Sequence, residues 1–99
     1  MMNIGLLARI EAKPEYADQV EALLREAVQL AKEEDHTLTW FAFRESDTAF
    51  GVFDTFADER GRSGHLQGRI AAALMEAAPT MLSAPPDIRP VDLLAVKLP

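Results

Sequence analysis

The stretch "TLTWFAFRESDTAFGVFDTF", residues 37–56, decides the fold of this 99-residue chain. Its two halves, "TLTWFAFRES" and "TAFGVFDTF", are rich in the aromatic and β-branched residues that are typical of β-strands. The residues "ESD" between them are few enough that the two strands are predicted to pair as an antiparallel hairpin. The middle of the chain is therefore predicted to be two neighbouring strands of one sheet.

A strand and a helix are predicted before the hairpin. "NIGLLARIEA", residues 3–12, places Ile4, Leu6, Ala8 and Ile10 on one face of a strand. After a break at Pro14, apolar residues recur at the i, i+3, i+4, i+7 spacing of an amphipathic helix. They are Val20, Leu23, Leu24, Ala27, Val28 and Ala31.

The order of elements predicts a ferredoxin-like fold. From Ala57 a helical segment is interrupted by glycines, which predicts a short helix, a break and a second helix from about Leu66 to Ala78. A proline-rich connection leads to "VDLLAVKLP", residues 91–99, which is predicted to be the last strand. The resulting order β-α-β-β-α-β is typical of an α+β domain with a four-stranded antiparallel sheet and helices on one face. Residues 1–99 are predicted to form a single domain.

Apolar residues on both faces of the predicted strands favour a homodimer. In the second strand, Trp40 and Ala42 alternate with Phe41 and Phe43, and residues 91–98 of the last strand are apolar on both sides. A sheet with helices on one face normally has a polar opposite face, and a large uncovered apolar face is rare in a monomer. The prediction is a homodimer that packs through the sheet faces. A lone domain with some exposed aliphatic residues is the alternative.

The composition excludes several classes of partner. The formal net charge is −6 and the ten basic residues are scattered, which argues against nucleic acid and against an anionic membrane surface. The chain has no cysteine, so it has no disulfide framework, and this suits a reducing compartment. Its first residues show neither a signal peptide nor a membrane span. The predicted location is the cytoplasm.

His65, eleven positions after Asp54, is the candidate catalytic side chain. Asp54 shares a strand face with apolar residues, where a carboxylate costs several kcal/mol unless it is paired. Its candidate partners are His65, Arg44, Arg62 and Arg69. An imidazole beside a carboxylate in an apolar cleft is a suitable general base near neutral pH. The structural alternative is a histidine that only caps or packs at the predicted helix break.

Other reactive motifs are not supported by the sequence. Ser63, His65 and Asp54 have the residue types of a hydrolytic triad, but a serine and a histidine so close in the chain rarely meet in the required geometry. The glycines that follow the hairpin lack the spacing of a dinucleotide-binding motif. His36 lies in the acidic turn "EEDH" and is predicted to be exposed. The two histidines have no recognisable ligand spacing, so no metal site is predicted.

The chain resembles the antibiotic biosynthesis monooxygenase superfamily of dimeric α+β barrels over nearly its whole length. The resemblance runs from "IEAKPEYADQVEALL" through "TWFAFRESDTAFGVFDTFADERGRSGHLQGRIAAAL" to "VDLLAVKLP". In that family the third strand typically ends in an acidic residue, one further residue and an aromatic, and a histidine follows eleven positions after the acid. Asp54, Phe56 and His65 match this pattern, with Asp where Glu is commoner, and Trp40 stands where the family usually has an aromatic residue. The pattern is more specific for the family than for an activity.

The resemblance implies a cavity between sheet and helices in each subunit of a homodimer. Some members oxygenate polycyclic phenols or quinols with O₂ and without flavin, haem or metal, so no cofactor is expected. On this reading the function is a cofactor-independent monooxygenase acting on a hydrophobic phenol, quinol or enol. His65 would be the base or anchor and Asp54 its orienting partner. The candidate substrate-binding residues are Trp40, Phe41, Phe43, Phe50, Phe56 and Arg62.

Departures from the family leave two alternatives open. The polyketide oxygenases share an asparagine and a tryptophan near the pocket, but the only asparagine here is Asn3. The haem-degrading branch has an asparagine, a tryptophan and a haem-ligating histidine where this chain has Ala8, His65 and Met75, so haem degradation is disfavoured. The alternatives are a non-catalytic dimeric module that binds a hydrophobic small molecule, and an isomerase or aldolase-like enzyme in which His65 moves a proton of a small carbonyl compound.

Overall fold

The computed structural model describes residues 3–99 and has an α+β fold with the predicted order of elements. The strands are β1 (Ile4–Glu11), β2 (Thr37–Arg44), β3 (Ala49–Phe56) and β4 (Asp87–Asp92). The helices are α1 (Ala17–Lys32), α2 (Glu59–Leu66) and α3 (Arg69–Met81), and a short 3-10 helix (Pro14–Tyr16) precedes α1. The ferredoxin-like order with its second helix broken in two is thus confirmed. Within residues 3–99, no helix combines the length and the apolar character needed to cross a membrane.

The four strands form one antiparallel sheet in the order β2-β3-β1-β4. The predicted hairpin is confirmed, because β2 and β3 pair from Thr37↔Phe56 to Arg44↔Phe50. On its other side β3 pairs with β1, so Asp54 lies between Leu6 and Trp40 of the two neighbouring strands. Asp54 therefore lies near the end of an inner strand of the sheet, inside the molecule.

The helices cover one face of the sheet and form the core with it. Four residues with helical spacing on α1 are buried, as predicted: Val20, Leu24, Ala27 and Ala31. Val20 and Leu24 belong to a cluster with Ile10 and Phe50 of the strands and Leu74 of α3. Ala27 and Ala31 form a second cluster with Ile70 of α3. Burial of this apolar stripe, rather than helix propensity, stabilises α1.

The opposite face of the sheet is apolar and is not covered by any helix of residues 3–99. Its residues Leu7, Phe41, Phe43 and Phe53 are called here the open face. Phe41 is 55% exposed and Phe43 is 37% exposed. The far end of the Phe43 ring lies directly over Gly51, and a Cβ at residue 51 would be only 2.3 Å from its Cζ atom. The apolar second face predicted for β2 is therefore present.

The last strand lies earlier in the chain than predicted. β4 ends at Asp92 and the residues after it lie outside the sheet, so the strand predicted from the alternation in "VDLLAVKLP" is wrong. The true strand, "DIRPVD", contains Pro90 and three charges and therefore resembles a connection. It forms because β4 is an edge strand, where a proline is tolerated. The tail beyond it is held at Leu93, whose N–H donates to the carbonyl of Asn3 at 2.9 Å, and Leu94 is 97% exposed.

The helix break also lies later than predicted. Asp58 caps α2 by accepting a hydrogen bond from the N–H of Gly61 at 3.0 Å, and the helix then continues until a break at Gly68. A Cβ at residue 61 would lie 3.1 Å from the carbonyl oxygen of His36, so glycine lets the turn before β2 lie close to α2. His65 consequently lies in the last turn of α2 and not in the break. The following helix, α3, starts and ends three residues later than predicted.

Candidate active site

Asp54 lies on the helix-covered face of β3 and is 1% exposed. Strand alternation places it on the same face as Val52 and Phe56, which are also buried. A carboxylate in these surroundings needs a partner. His65 supplies it, because its Nε2 lies 2.8 Å from Asp54 Oδ2. The structure thus brings together the two residues that the sequence singles out.

His65 is held between two carboxylates. Its Nε2 faces Asp54, and its Nδ1 lies 2.7 Å from Oε1 of Glu34. The ring is buried and packs against Phe56, with 5.4 Å between the two ring centroids. A neutral imidazole has one N–H and can donate to only one of the carboxylates, whereas an imidazolium donates to both. The geometry therefore favours the charged ring.

The pKa of His65 reflects two opposing effects. Burial lowers the pKa, because the charged ring loses its hydration. Hydrogen bonds to Asp54 and Glu34, together with their negative charges, outweigh burial and raise the pKa above its ordinary value. Glu34, His65 and Asp54 therefore form a largely buried chain in which the two carboxylates favour the protonated imidazole between them, called here the Glu34–His65–Asp54 chain.

Glu34 is the member of this chain that the sequence did not reveal. It lies in the turn between α1 and β2, which the sequence suggests is an exposed acidic turn. The Thr37 hydroxyl donates a hydrogen bond to Glu34 Oε1 at 2.7 Å and fixes the carboxylate beside the imidazole. Only topology could have predicted this contact, because the turn before β2 lies close to the helix that follows β3. No local spacing relates residue 34 to residue 65.

An apolar cavity of about 50 Å³ lies between the sheet and the helices, next to the Glu34–His65–Asp54 chain. Asp54 and His65 line it, and its other walls are aliphatic, among them Ala27, Ile70 and Leu74. Asp54 Oδ1 is buried and has no hydrogen-bond partner among residues 3–99. One oxygen of this carboxylate is thus bound by His65, and the other remains available as an acceptor.

The aromatic side chains predicted as walls lie elsewhere. Trp40, Phe41, Phe43 and Phe50 line a separate groove of about 370 Å³ between α1 and β2. Phe56 is fully buried against the imidazole of His65. The walls of the cavity therefore differ from those predicted. The reason is that β2 is an edge strand, so Trp40 lies at the side of the sheet rather than beneath the gap between the helices. Phe41 and Phe43 alternate with Trp40 and therefore belong to the open face.

The predicted arginines also lie away from Asp54. Arg62 donates a hydrogen bond to the carbonyl of Gly5 at 3.3 Å and pairs with Glu59. Arg44 pairs with Glu21 at 2.9 Å, beside the groove. Among the candidate partners within the described residues, His65 is the one that contacts the Asp54 carboxylate.

Comparison with known proteins identifies a close relative. A solved structure of a protein of unknown function from Nitrosomonas europaea is 50% identical and covers 100% of this chain and 96% of its own, with a TM-score of 0.97. The two proteins belong to one family. Because the function of that relative is unknown, it does not assign a function to this chain.

More distant solved structures share the fold. One named antibiotic biosynthesis monooxygenase is 22% identical, with a TM-score of 0.76 and coverage of 95% of this chain and 99% of that chain. A protein from Pseudomonas aeruginosa is 20% identical, with a TM-score of 0.82 and coverage of 96% and 97%. The chain therefore shares its fold with proteins named as antibiotic biosynthesis monooxygenases, and the predicted resemblance is confirmed at the level of the fold. No family model matches the sequence, and no curated protein matches it either.

Proposed function

We propose that this protein is a cofactor-independent monooxygenase acting on a hydrophobic phenol, quinol or enol bound between the sheet and the helices. The observation that carries the proposal is the Asp54 carboxylate on the wall of an apolar cavity, with one oxygen held by His65 and the other without a hydrogen-bond partner among residues 3–99. Such an acceptor can bind the acidic hydroxyl of a substrate and remove its proton. The fold shared with a protein named as a monooxygenase supports the class of reaction.

Proton removal makes the substrate electron-rich enough to react with O₂. The enolate or phenolate passes one electron to O₂, and the radical pair combines to a peroxide at carbon, sheltered from water by the cavity. Loss of water from the peroxide then converts a methylene carbon of the keto tautomer to a carbonyl. One atom of O₂ stays in the product, and the other leaves as water with the two hydrogens of the methylene group. The substrate supplies all the electrons, so the reaction needs no added reductant.

The geometry suggests exchanging the roles that the sequence assigned to the two residues. Both nitrogens of His65 face carboxylates, whereas Asp54 Oδ1 faces no partner among the described residues. Asp54 is therefore the base in this proposal, and it returns the proton when water is lost. His65 is a positioning residue that holds Asp54 Oδ2, and Glu34 keeps the imidazole oriented and charged.

The size of the cavity favours a second candidate function. Its volume of about 50 Å³ suits a small guest, whereas drug-sized ligands occupy pockets of about 300–1,000 Å³. A small enolisable carbonyl compound fits this space better than a polycyclic phenol, and moving its α-proton requires the same base. Isomerisation of such a compound by Asp54 is the alternative.

We also propose a homodimer that packs through the open face, since this fold is commonly dimeric. Phe41 and Phe43 are 55% and 37% exposed, and a contiguous apolar face of this kind is rare in a monomer. Light scattering on dilute protein should give twice the chain mass of 10.9 kDa, and Phe41→Glu should lower it. A wild-type mass of a single chain would reject the dimer.

The proposed partners are O₂ and a hydrophobic small molecule. The formal charge of −6 disfavours nucleic acid and an anionic membrane surface. The lack of cysteine suits a reducing compartment, so the cytoplasm is the location that we propose.

Oxygen uptake with a panel of anthrones and quinols tests the proposed function. The wild-type protein should consume O₂, and Asp54→Asn, which keeps the shape but removes the base, should lower kcat/KM by about 100- to 10,000-fold. Asp92→Asn, an exposed acid on β4, is the matched control and should keep the activity. Binding of the panel without turnover would reject the enzyme and favour a binding module. Exchange of an α-proton without O₂ uptake would favour the isomerase.

A further inference from the structure

We propose that Glu34, His36 and His65 bind a divalent transition-metal ion on the outer side of the Glu34–His65–Asp54 chain. The carboxylate oxygen and the two ring nitrogens lie within 4.8 Å of one another. Two imidazoles and a carboxylate are a ligand set typical of zinc and non-haem iron. The site uses the nitrogen of His65 that faces away from the cavity, so it goes beyond the proposed oxygenase and does not depend on it.

The distances are close to those around a coordinated ion. His65 Nδ1 lies 2.7 Å and His36 Nε2 lies 3.7 Å from Glu34 Oε1. Ligands at about 2.0–2.2 Å from a tetrahedral ion are roughly 3.3–3.6 Å apart. An ion would replace the proton shared by His65 and Glu34, and both distances would change by less than about 1 Å.

Neighbouring residues already orient two of the three ligands. His65 donates its Nε2–H to Asp54 Oδ2 at 2.8 Å, which leaves Nδ1 for the ion. The Thr37 hydroxyl donates to Glu34 Oε1 at 2.7 Å. Metal-binding histidines usually donate their second N–H to a carboxylate, and metal-binding carboxylates usually accept a further hydrogen bond. Both features are present around this cluster.

His36 opens the site to solvent. Its side chain is 39% exposed, whereas those of His65 and Glu34 are 7% and 12% exposed. The His36 ring lies against α2, about 3.5 Å from the position that a Cβ on Gly64 would take. An ion can therefore enter past His36 and would link the turn before β2 to the last turn of α2.

Calorimetric titration of the tag-free protein with Zn²⁺ tests the site. The wild type should bind one ion per chain and melt at a higher temperature with zinc than without it. His36→Gln and Glu34→Gln should each weaken binding by at least about 10-fold. Asp35→Asn is the matched control, because this exposed acid lies between two proposed ligands in the sequence and belongs to neither the cluster nor the cavity.

Two results would overturn the proposal. One is a wild type that binds no zinc at millimolar concentration, and the other is zinc binding that His36→Gln leaves unchanged. His36→Gln is decisive because its partly exposed position allows the variant to fold, which its unfolding midpoint without metal would verify. Zinc affinity and O₂ uptake are separate measurements, so the metal site and the oxygenase can fail independently.

Discussion

The cavity beside Asp54 and the groove beside Trp40 differ in size, lining and charge. The cavity measures about 50 Å³, has aliphatic walls and is bounded by the Glu34–His65–Asp54 chain. The groove measures about 370 Å³ and is aromatic, and its ionic residues Glu21 and Arg44 pair near the surface. The aromatic residues therefore line the larger groove, whereas the buried carboxylate of Asp54 faces the smaller cavity. Desolvated charge, rather than volume or aromatic content, identifies the reactive candidate in this protein.

The largest expected contrast is in stability. Asp54→Ala leaves the buried imidazolium of His65 with one carboxylate fewer, so the free energy of unfolding should fall by about 3–5 kcal/mol. Glu21→Ala removes the corresponding acid from the groove, where solvent screens the pair with Arg44, and should change the stability little. Urea unfolding of both variants measures the difference. Equal effects would show that burial does not distinguish the two ion pairs.

Widening the cavity should produce the next largest effect. Leu74→Ala removes a buried wall residue, so the free energy of unfolding should fall by about 2–5 kcal/mol and larger phenols should be accepted. Val28→Ala makes a comparable deletion at a partly exposed wall of the groove and should cost less. Urea unfolding and the O₂-uptake panel measure both effects. An unchanged substrate range in Leu74→Ala would place the substrate outside the cavity.

Stability should also depend on pH through His65. The folded pKa of His65 is raised above the unfolded value near 6.5, so the folded protein binds the proton more tightly. The resulting stabilisation is complete below about pH 6.5 and is lost as the pH rises through the folded pKa. Unfolding in a chelating buffer should show this decrease for wild type and for His36→Gln. His65→Gln should remove it, and a wild-type stability that rises over the same range would contradict the prediction.

The smallest effect is expected at Trp40. Its buried Nε1 has no hydrogen-bond partner in the described part of the chain, so Trp40→Phe removes no hydrogen bond. The free energy of unfolding should change by less than about 1.5 kcal/mol. O₂ uptake should persist if substrate binds in the cavity. A large loss of O₂ uptake would indicate that substrate binds in the groove beside Trp40 rather than in the cavity beside Asp54.

Local signals predicted most of the fold. The hairpin and α1 were predictable because strand composition and helical spacing act over a few residues. The need of Asp54 for a partner left four candidates, His65 and three arginines, and the structure selects His65. β4 was missed because its edge position, and not its own sequence, allows Pro90 in a strand. Glu34 was missed because its contact with the imidazole is a product of tertiary packing. The cavity walls likewise follow from how α1 and α3 sit on the sheet, which no short pattern encodes.

The packing of Phe43 on the open face depends on Gly51, which lies beneath its ring. The Phe43 ring occupies the space in which any other residue at position 51 would begin its side chain. Gly51→Ala would therefore tilt that ring outward, while Asp54 on the reverse side of the strand would keep its surroundings. One added methyl group would change the shape of the surface that a second copy contacts. Gly51→Ala would therefore weaken self-association without altering the residues of the candidate active site.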